Sequence, residues 1–428
     1  MPDYRETRKR ELRSHIVEGG KRGGYESRDH EEYDDDLESD DRVRKLEHQQ
    51  KTRKRWRLRI IAAVLAVAVI AIAAVFFFVR YFQYTGYEES WNRQLGTGSY
   101  VGVAGFGDNV IKYSHDGARY ISTSGSDVWA DSYELKSPGI YVNGDYACIY
   151  GIGENQINIY DASGKTGSGQ TLLPITKAVV SATGVVAALI EDTSASYITF
   201  FSKDGSDIDI TVKSLLSGDG YPTDIALSPD GTQLMAAYEY LDGMEFKSRV
   251  VFYDFSEIGK NIPNRLVGGF EEPFDNSFIS RVRFINATYS YAAGDTGIYF
   301  FSSKNLASPE LVAEVPIEEE ILSIFNYKNH VGVITACNEE GGTRRLSVYK
   351  QDGTKALDKI YSFDHSHLST DGKNLYLYGT NSLMIMTLQG VIKYDGEFRS
   401  EPRFAVSGGF PGEYVVTFPS EIAEYKFR

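Results

Sequence analysis

The chain has 428 residues and a formal net charge of −14, from 45 Lys plus Arg against 59 Asp plus Glu. Two cysteines exclude a disulfide-stapled secreted scaffold, and beyond residue 80 an acidic excess of 44 over 27 basic residues argues against a polyanion-binding surface. Nearly 350 residues on that side are enough to bury a sizeable core.

Residues 1–59 read as a cytoplasmic tail with a polar start, an acidic block at 31–41 (EEYDDDLESDD) and a basic approach to an apolar run. Such a composition cannot offset chain entropy by burial, so disorder is expected to about residue 39, with Ser39 or Asp40 capping a helix through Val43 and Leu46. The acidic block reads as a solvated spacer in preference to a partner tail. The basic segment reads as a contact for membrane lipids, each charge contributing about 1 kcal/mol near an anionic surface. Positive-inside anchoring accounts for these residues, so no nucleic acid is expected.

Residues 60–79 (IIAAVLAVAVIAIAAVFFFV) carry no charge. At about 1.5 Å of rise per residue, a helix of this length covers the roughly 30 Å hydrocarbon core of a bilayer. The 15 residues before the run hold seven Lys or Arg, and the 15 from position 80 hold two, which places the N-terminus in the cytoplasm. A cleaved secretion signal fits poorly, because the basic region ends a long tail, the core is too long, and Phe76, Phe77, Phe78, Tyr81 and Phe82 stand where small residues are needed. The expected organisation is a tail (1–59), one transmembrane helix (60–80), a linker (81–98) and an extracytoplasmic domain (99–428). Trp56, Tyr81, Tyr84 and Tyr87 suit an interfacial aromatic belt.

Beyond the linker, short β-branched and aromatic stretches close on glycine turns: INIYDASGK (157–165), YITFFSKDGS (197–206), RLSVYKQDGTK (345–355) and SLMIMTLQGVIKYDG (382–396). Glycine supplies the positive φ of a hairpin turn without steric cost, which explains Gly117, Gly164, Gly205, Gly353 and Gly390. A second pattern of strand, tight turn and strand recurs at 225–240, 327–337 and 367–379. Units of roughly 40 to 50 residues with four short strands are propeller blades. The expected fold is all-β: a seven-bladed, possibly eight-bladed, β-propeller after one transmembrane helix. Blades are expected at 138–172, 175–213, 221–270, 278–315, 320–363 and 365–398, with 403–428 completed by strands from 99–135. Joining both ends of the domain in one blade hides the open sheet edges. A pair of β-sandwiches suits the repeat length poorly.

The stretches NVIKYSHDGARYIST (109–123), YPTDIALSPDGTQLMAAY (221–238) and NRLVGGF (264–270) resemble an uncharacterised bacterial family of single-pass membrane proteins with propeller ectodomains. SPDG (228–231) is similar to turns of WD-repeat and TolB-like propellers, and ISTSGSDVWADSYEL resembles a quinoprotein-type blade edge. These likenesses imply fold and location and carry no catalytic residue.

Asp364, His365 and His367 are the sharpest metal candidates, since two imidazoles and a carboxylate make three zinc ligands and a His-x-His pair on a strand shares a face. A loop between blades is the blander reading, and it is preferred. Asp204-Gly205, Asp230-Gly231, Asp352-Gly353 and Asp371-Gly372 read as turns, lacking the ligand spacing of a calcium loop. No cofactor is expected: Cys148 and Cys337 are far apart and Trp129 stands alone in the propeller region, unlike a quinoprotein. The cysteines read as buried apolar residues in preference to a disulfide. Neither a Gly-x-Ser-x-Gly elbow nor a phosphate loop is present. The expected function is a binding or scaffold module of the cell envelope without catalysis, its partner an envelope protein, a peptide or a glycan. A transmembrane sensor ranks second, and an extracytoplasmic hydrolase or lyase using the central channel third.

Overall fold

The computed structural model describes residues 56, 59–95, 101–274 and 277–428. The acidic block, the basic segment and the cap at Ser39 or Asp40 lie outside the described residues. Two units are compact on their own, 1–78 and 79–428. In the first, the apolar run is helical as part of a helix, Arg59–Tyr81, that is long and apolar enough to cross a membrane, and every side chain on it is exposed.

The second unit contains eight four-stranded antiparallel sheets among the described residues. Seven are continuous in sequence: blades 1 to 7 at 102–132, 138–170, 175–215, 221–270, 279–316, 321–361 and 367–397. Blade 8 takes three strands from 404–427 and its outermost strand from Tyr87–Gln94. The propeller therefore closes by pairing the two ends of the domain, as the edge argument requires. The closing strand is not the one expected, however. Segment 99–135 holds blade 1 complete, and the closing strand lies inside 81–98, the segment read as a linker. This raises the count from seven to eight, and it adds Trp91 to the propeller beside Trp129.

The reason is local. The closing strand pairs from Tyr87 opposite Phe427 to Gln94 opposite Glu421, with a bulge at Glu89/Trp91. Tyr87 stacks on Phe398 at 4.6 Å and meets Tyr425 edge-on at 5.0 Å. Tyr84 lies near Phe427, with Lys393 over its ring at 5.3 Å. Tyr84 and Tyr87 are thus packing residues of the last blades and do not form an aromatic belt.

The core is a ring of eight hydrophobic clusters, each drawing on two successive blades. One joins blades 7 and 8 through Tyr376, Tyr378, Tyr414 and Phe427, and another joins blades 8 and 1 through Phe404, Val415, Val110 and Ile121. Strand alternation explains this, since side chains on the two faces of a sheet meet different neighbours and both faces must be apolar. The aspartate turns are built as expected. Ser228 Oγ donates to Asp230 at 2.5 Å, Gly231 N–H donates to Ser228 O at 2.9 Å, and Gly231 takes φ +76.

In a meander of four antiparallel strands, the second-to-third turn and the connection to the next blade share one end. We call it the connection end. The first-to-second and third-to-fourth turns share the other, the turn end. The closing strand starts at the turn end, so the chain joins the propeller there.

Candidate functional site

The first strand of each blade is innermost, and from blade 6 through blades 7, 8 and 1 to blade 5 each first strand lies against the next. In blades 3 to 6 these strands carry a bulge at the same place: Ile175/Lys177, Pro222/Asp224, Ile279/Arg281 and Ile321/Ser323. A bulge sets two residues against one and redirects the side chain that follows. Here it brings Lys177, Asp224 and Arg281 to the channel in consecutive blades.

Asp224 is the hub, with 1% of its surface exposed. Its carboxylate accepts hydrogen bonds from Lys177 Nζ, from Arg283 Nη1 at 2.7 Å, and from the Val282 and Ile225 N–H groups, both at 2.9 Å. Arg281 donates to Ile324 O at 2.7 Å, linking blade 5 to blade 6. Arg283 lies over the Tyr141 ring at 5.5 Å, which ties in blade 2. Burial pushes the Lys177 ammonium below its ordinary pKa, partly offset by Asp224, and it pushes the Tyr141 hydroxyl up. With four donors on one carboxylate, Asp224 is held as a counter-ion. The chemistry this knot performs is mechanical: it fixes the innermost strands of blades 3, 4 and 5 against one another.

The proposed metal ligands are not brought together. His365 lies before the first strand of blade 7, with Nε2 2.9 Å from Ser323 Oγ of blade 6. His367, on that strand, turns Nε2 toward Arg403 O at 3.1 Å on the blade 8 side and stacks on Tyr378 at 4.4 Å. Asp364 is exposed and pairs with Arg344. The two imidazoles reach opposite neighbours because only the second is on the strand. No group of three His, Cys, Asp or Glu able to hold a metal occurs among the described residues. Burial lowers the pKa of both rings. Each aspartate-turn carboxylate accepts bonds within its own turn, and those from Ser202 and Ser206 hold Asp204 at about 2. Cys148 of blade 2 and Cys337 of blade 6 are free thiols, and burial pushes Cys148 up to about 12.

Two further features face solvent. A cleft of about 340 Å³ between the outer parts of blades 3 and 4 is lined by Lys213, Asp219, Tyr238, Arg249 and Tyr253. Beside it the second and third strands of blade 4 form a long hairpin, on which Arg249 stacks over Tyr240 at 4.0 Å and lies 3.5 Å from Glu271. Neither the knot nor this hairpin was assigned from sequence. The available signal was a charge inside an apolar first strand, in ITKAVV, PTDIAL and ISRVRF.

Fold and site together define an eight-bladed β-propeller whose innermost strands are cross-tied. Residues 80–427 match a family of unknown function, DUF5711, and the chain belongs to that family. No curated protein matches it. Among solved structures it is similar to Sqt1 from Chaetomium thermophilum bound to the N-terminus of the ribosomal protein L10. That likeness has 12% identity and a TM-score of 0.51 over 79% of this chain and 99% of that one. It is also similar to BamB from Moraxella catarrhalis (12% identity, TM-score 0.47, 80% and 100% covered) and to the Dos1 propeller (10%, 0.49, 79% and 95%). At such identities the likeness is one of fold.

Proposed function

We propose that this protein is a membrane-anchored, extracytoplasmic propeller that binds a protein or peptide partner as a scaffold module of the bacterial cell envelope. The observation that carries the reading is the combination of a fully exposed apolar helix with a closed propeller in which Lys177, Asp224 and Arg283 of three successive blades are bonded to one another. Anchoring is supported by the span Arg59–Tyr81, and orientation by seven cationic residues before the run against two after it. Binding is supported by a rigid ring whose turns and connections present a broad surface at each end, the arrangement in which loops on a fixed scaffold do the recognising. Sqt1, which this chain resembles in fold, was captured bound to the N-terminus of the ribosomal protein L10. The proposal gives Asp224 a structural role, since its carboxylate accepts from four donors of the same three blades.

The test is crosslinking in intact cells from the propeller surface, followed by mass spectrometry, with a chain ending after the span as control. A reproducible protein partner that needs the propeller is the expected result. Recovery of none, with the crosslinker shown to label the propeller, overturns the reading.

A further inference from the structure

Resting on that reading, we infer that the connection end of blades 2 to 5 is the docking surface, and that its occupant is a lysine- and arginine-rich segment of a partner protein carrying apolar anchors. The hairpin of blade 4 is built from strands Gln233–Asp242 and Glu245–Asp254, ten residues each, whereas the same two strands of blade 5 have six each. Four extra residues per strand lengthen the hairpin by roughly 13 Å at 3.3 Å per residue. At its connection-end tip, Leu241 and Phe246 face each other across the ladder, 61% and 77% exposed, and Met244 in the turn between them is 97% exposed. Leu172, before blade 3, and Phe278, before blade 5, lie on connections at this same end and are exposed as well. Single exposed apolar residues are ordinary. A set of them on one end of neighbouring blades, with a Met and a Phe at a projecting tip, marks a surface that is covered in use.

The charges around this set choose the occupant. From residue 152 to residue 366 no turn or connection at this end contains a lysine or an arginine. The same segments carry Glu271, Glu272 and the run Glu318, Glu319, Glu320, and Glu245 flanks the hairpin tip, all of them exposed. Of the cations beside this set, Lys247 and Arg249 are engaged with Asp242 at 2.9 Å and Glu271 at 3.5 Å and Lys213 lies over the Tyr197 ring at 5.6 Å, while the connection into blade 2 carries the exposed Lys136. Over the same span the turn end mixes signs, with Lys203, Lys260 and Lys328 among Asp204 and Asp352. An apolar surface rimmed by carboxylates repels nucleic acid, anionic lipid and acidic peptides. It would leave those carboxylates desolvated under a purely apolar partner. A basic amphipathic segment satisfies both, its apolar side chains meeting Leu241, Met244 and Phe246 and its cations meeting the rim.

The experiment uses the full chain in zwitterionic nanodiscs, with empty discs as reference, and three fluorescent peptides of about 20 residues: Lys/Leu at helical spacing, Glu/Leu and Lys/Ser. The expected result is that Lys/Leu binds at least about tenfold more tightly than either control and weakens as salt rises from about 50 to about 300 mM. The double change Leu241→Ser with Phe246→Ser is expected to cost about tenfold with an unchanged urea midpoint, and Lys328→Glu at the turn end to leave binding unchanged. Equal binding of the three peptides, or indifference to the double change, overturns the inference. Cellular crosslinks that fall on the turn end also overturn it, while leaving the binding-module reading intact.

Discussion

Asp224 shows how much one side chain can hold. It meets Lys177 of blade 3 and Arg283 of blade 5, and both cations are themselves largely buried, 27% and 19% exposed. Removing one partner of a buried pair is costly because it strands the other charge, by about 3–5 kcal/mol when burial is complete, so about 2–3 kcal/mol is expected for these half-screened cations. Asp224→Ala is therefore expected to lower the unfolding free energy of the full chain, read from urea titration in detergent, by that amount. Asp224→Asn, which can still accept from the Val282 and Ile225 N–H groups, is expected to cost less. Adding Lys177→Met to Asp224→Ala should recover part of the loss, as a double-mutant cycle in tryptophan fluorescence would report. Strictly additive costs would mean that the two side chains do not share the knot. The spacing of Asp224 in PTDIAL was visible in the sequence. Its partners were not, because Lys177 and Arg283 lie 47 and 59 residues away and only the bulges bring them to one place.

At the scale of the element, the blades were legible where each unit repeats its own punctuation. Asp-Gly turns with side-chain bonds back to the loop, and apolar strands on both sides of them, located blades 2 to 7 to within a few residues. The closing strand escaped because YEESWNRQ has the composition of a linker, with three of its eight residues charged, and becomes a strand only by pairing with the C-terminal strand. Tertiary context overrides propensity most easily in an edge strand with one apolar side. Tyr87 is the aromatic anchor of the strand, stacked on Phe398 and edge-on to Tyr425, so Tyr87→Ala is expected to destabilise the propeller by about 2–4 kcal/mol. Tyr87→Phe removes only a long hydrogen bond to Glu397 O at 3.3 Å and should be near neutral. Urea unfolding of both variants separates ring packing from hydroxyl bonding. An Ala variant as stable as the parent would show that blade 8 stands on three strands.

For the whole molecule the strongest sequence signal, the apolar run, fixes an arrangement that can be tested without knowing any partner. Lys and Arg next to a span tend to be retained in the cytoplasm, so on the proposed reading the seven before the run would hold the tail inside and the propeller would lie across the membrane. The proposed topology puts the exposed tip at Met244 and the tail position Ser39 on opposite sides of the bilayer. With both native thiols replaced by serine, Met244→Cys is expected to react with a membrane-impermeant maleimide on intact cells, while Ser39→Cys reacts only after permeabilisation. Met244 is suited to this because at 97% exposure its replacement disturbs no packing. Cys148 is a poor reporter, being wholly buried on blade 2 with its thiol held protonated. The reverse labelling pattern would place the propeller in the cytoplasm, and the acidic connection end would then have to find its basic partner there. Labelling of both positions on intact cells would show that the chain is not held by this span, and the charge asymmetry around it would need another cause.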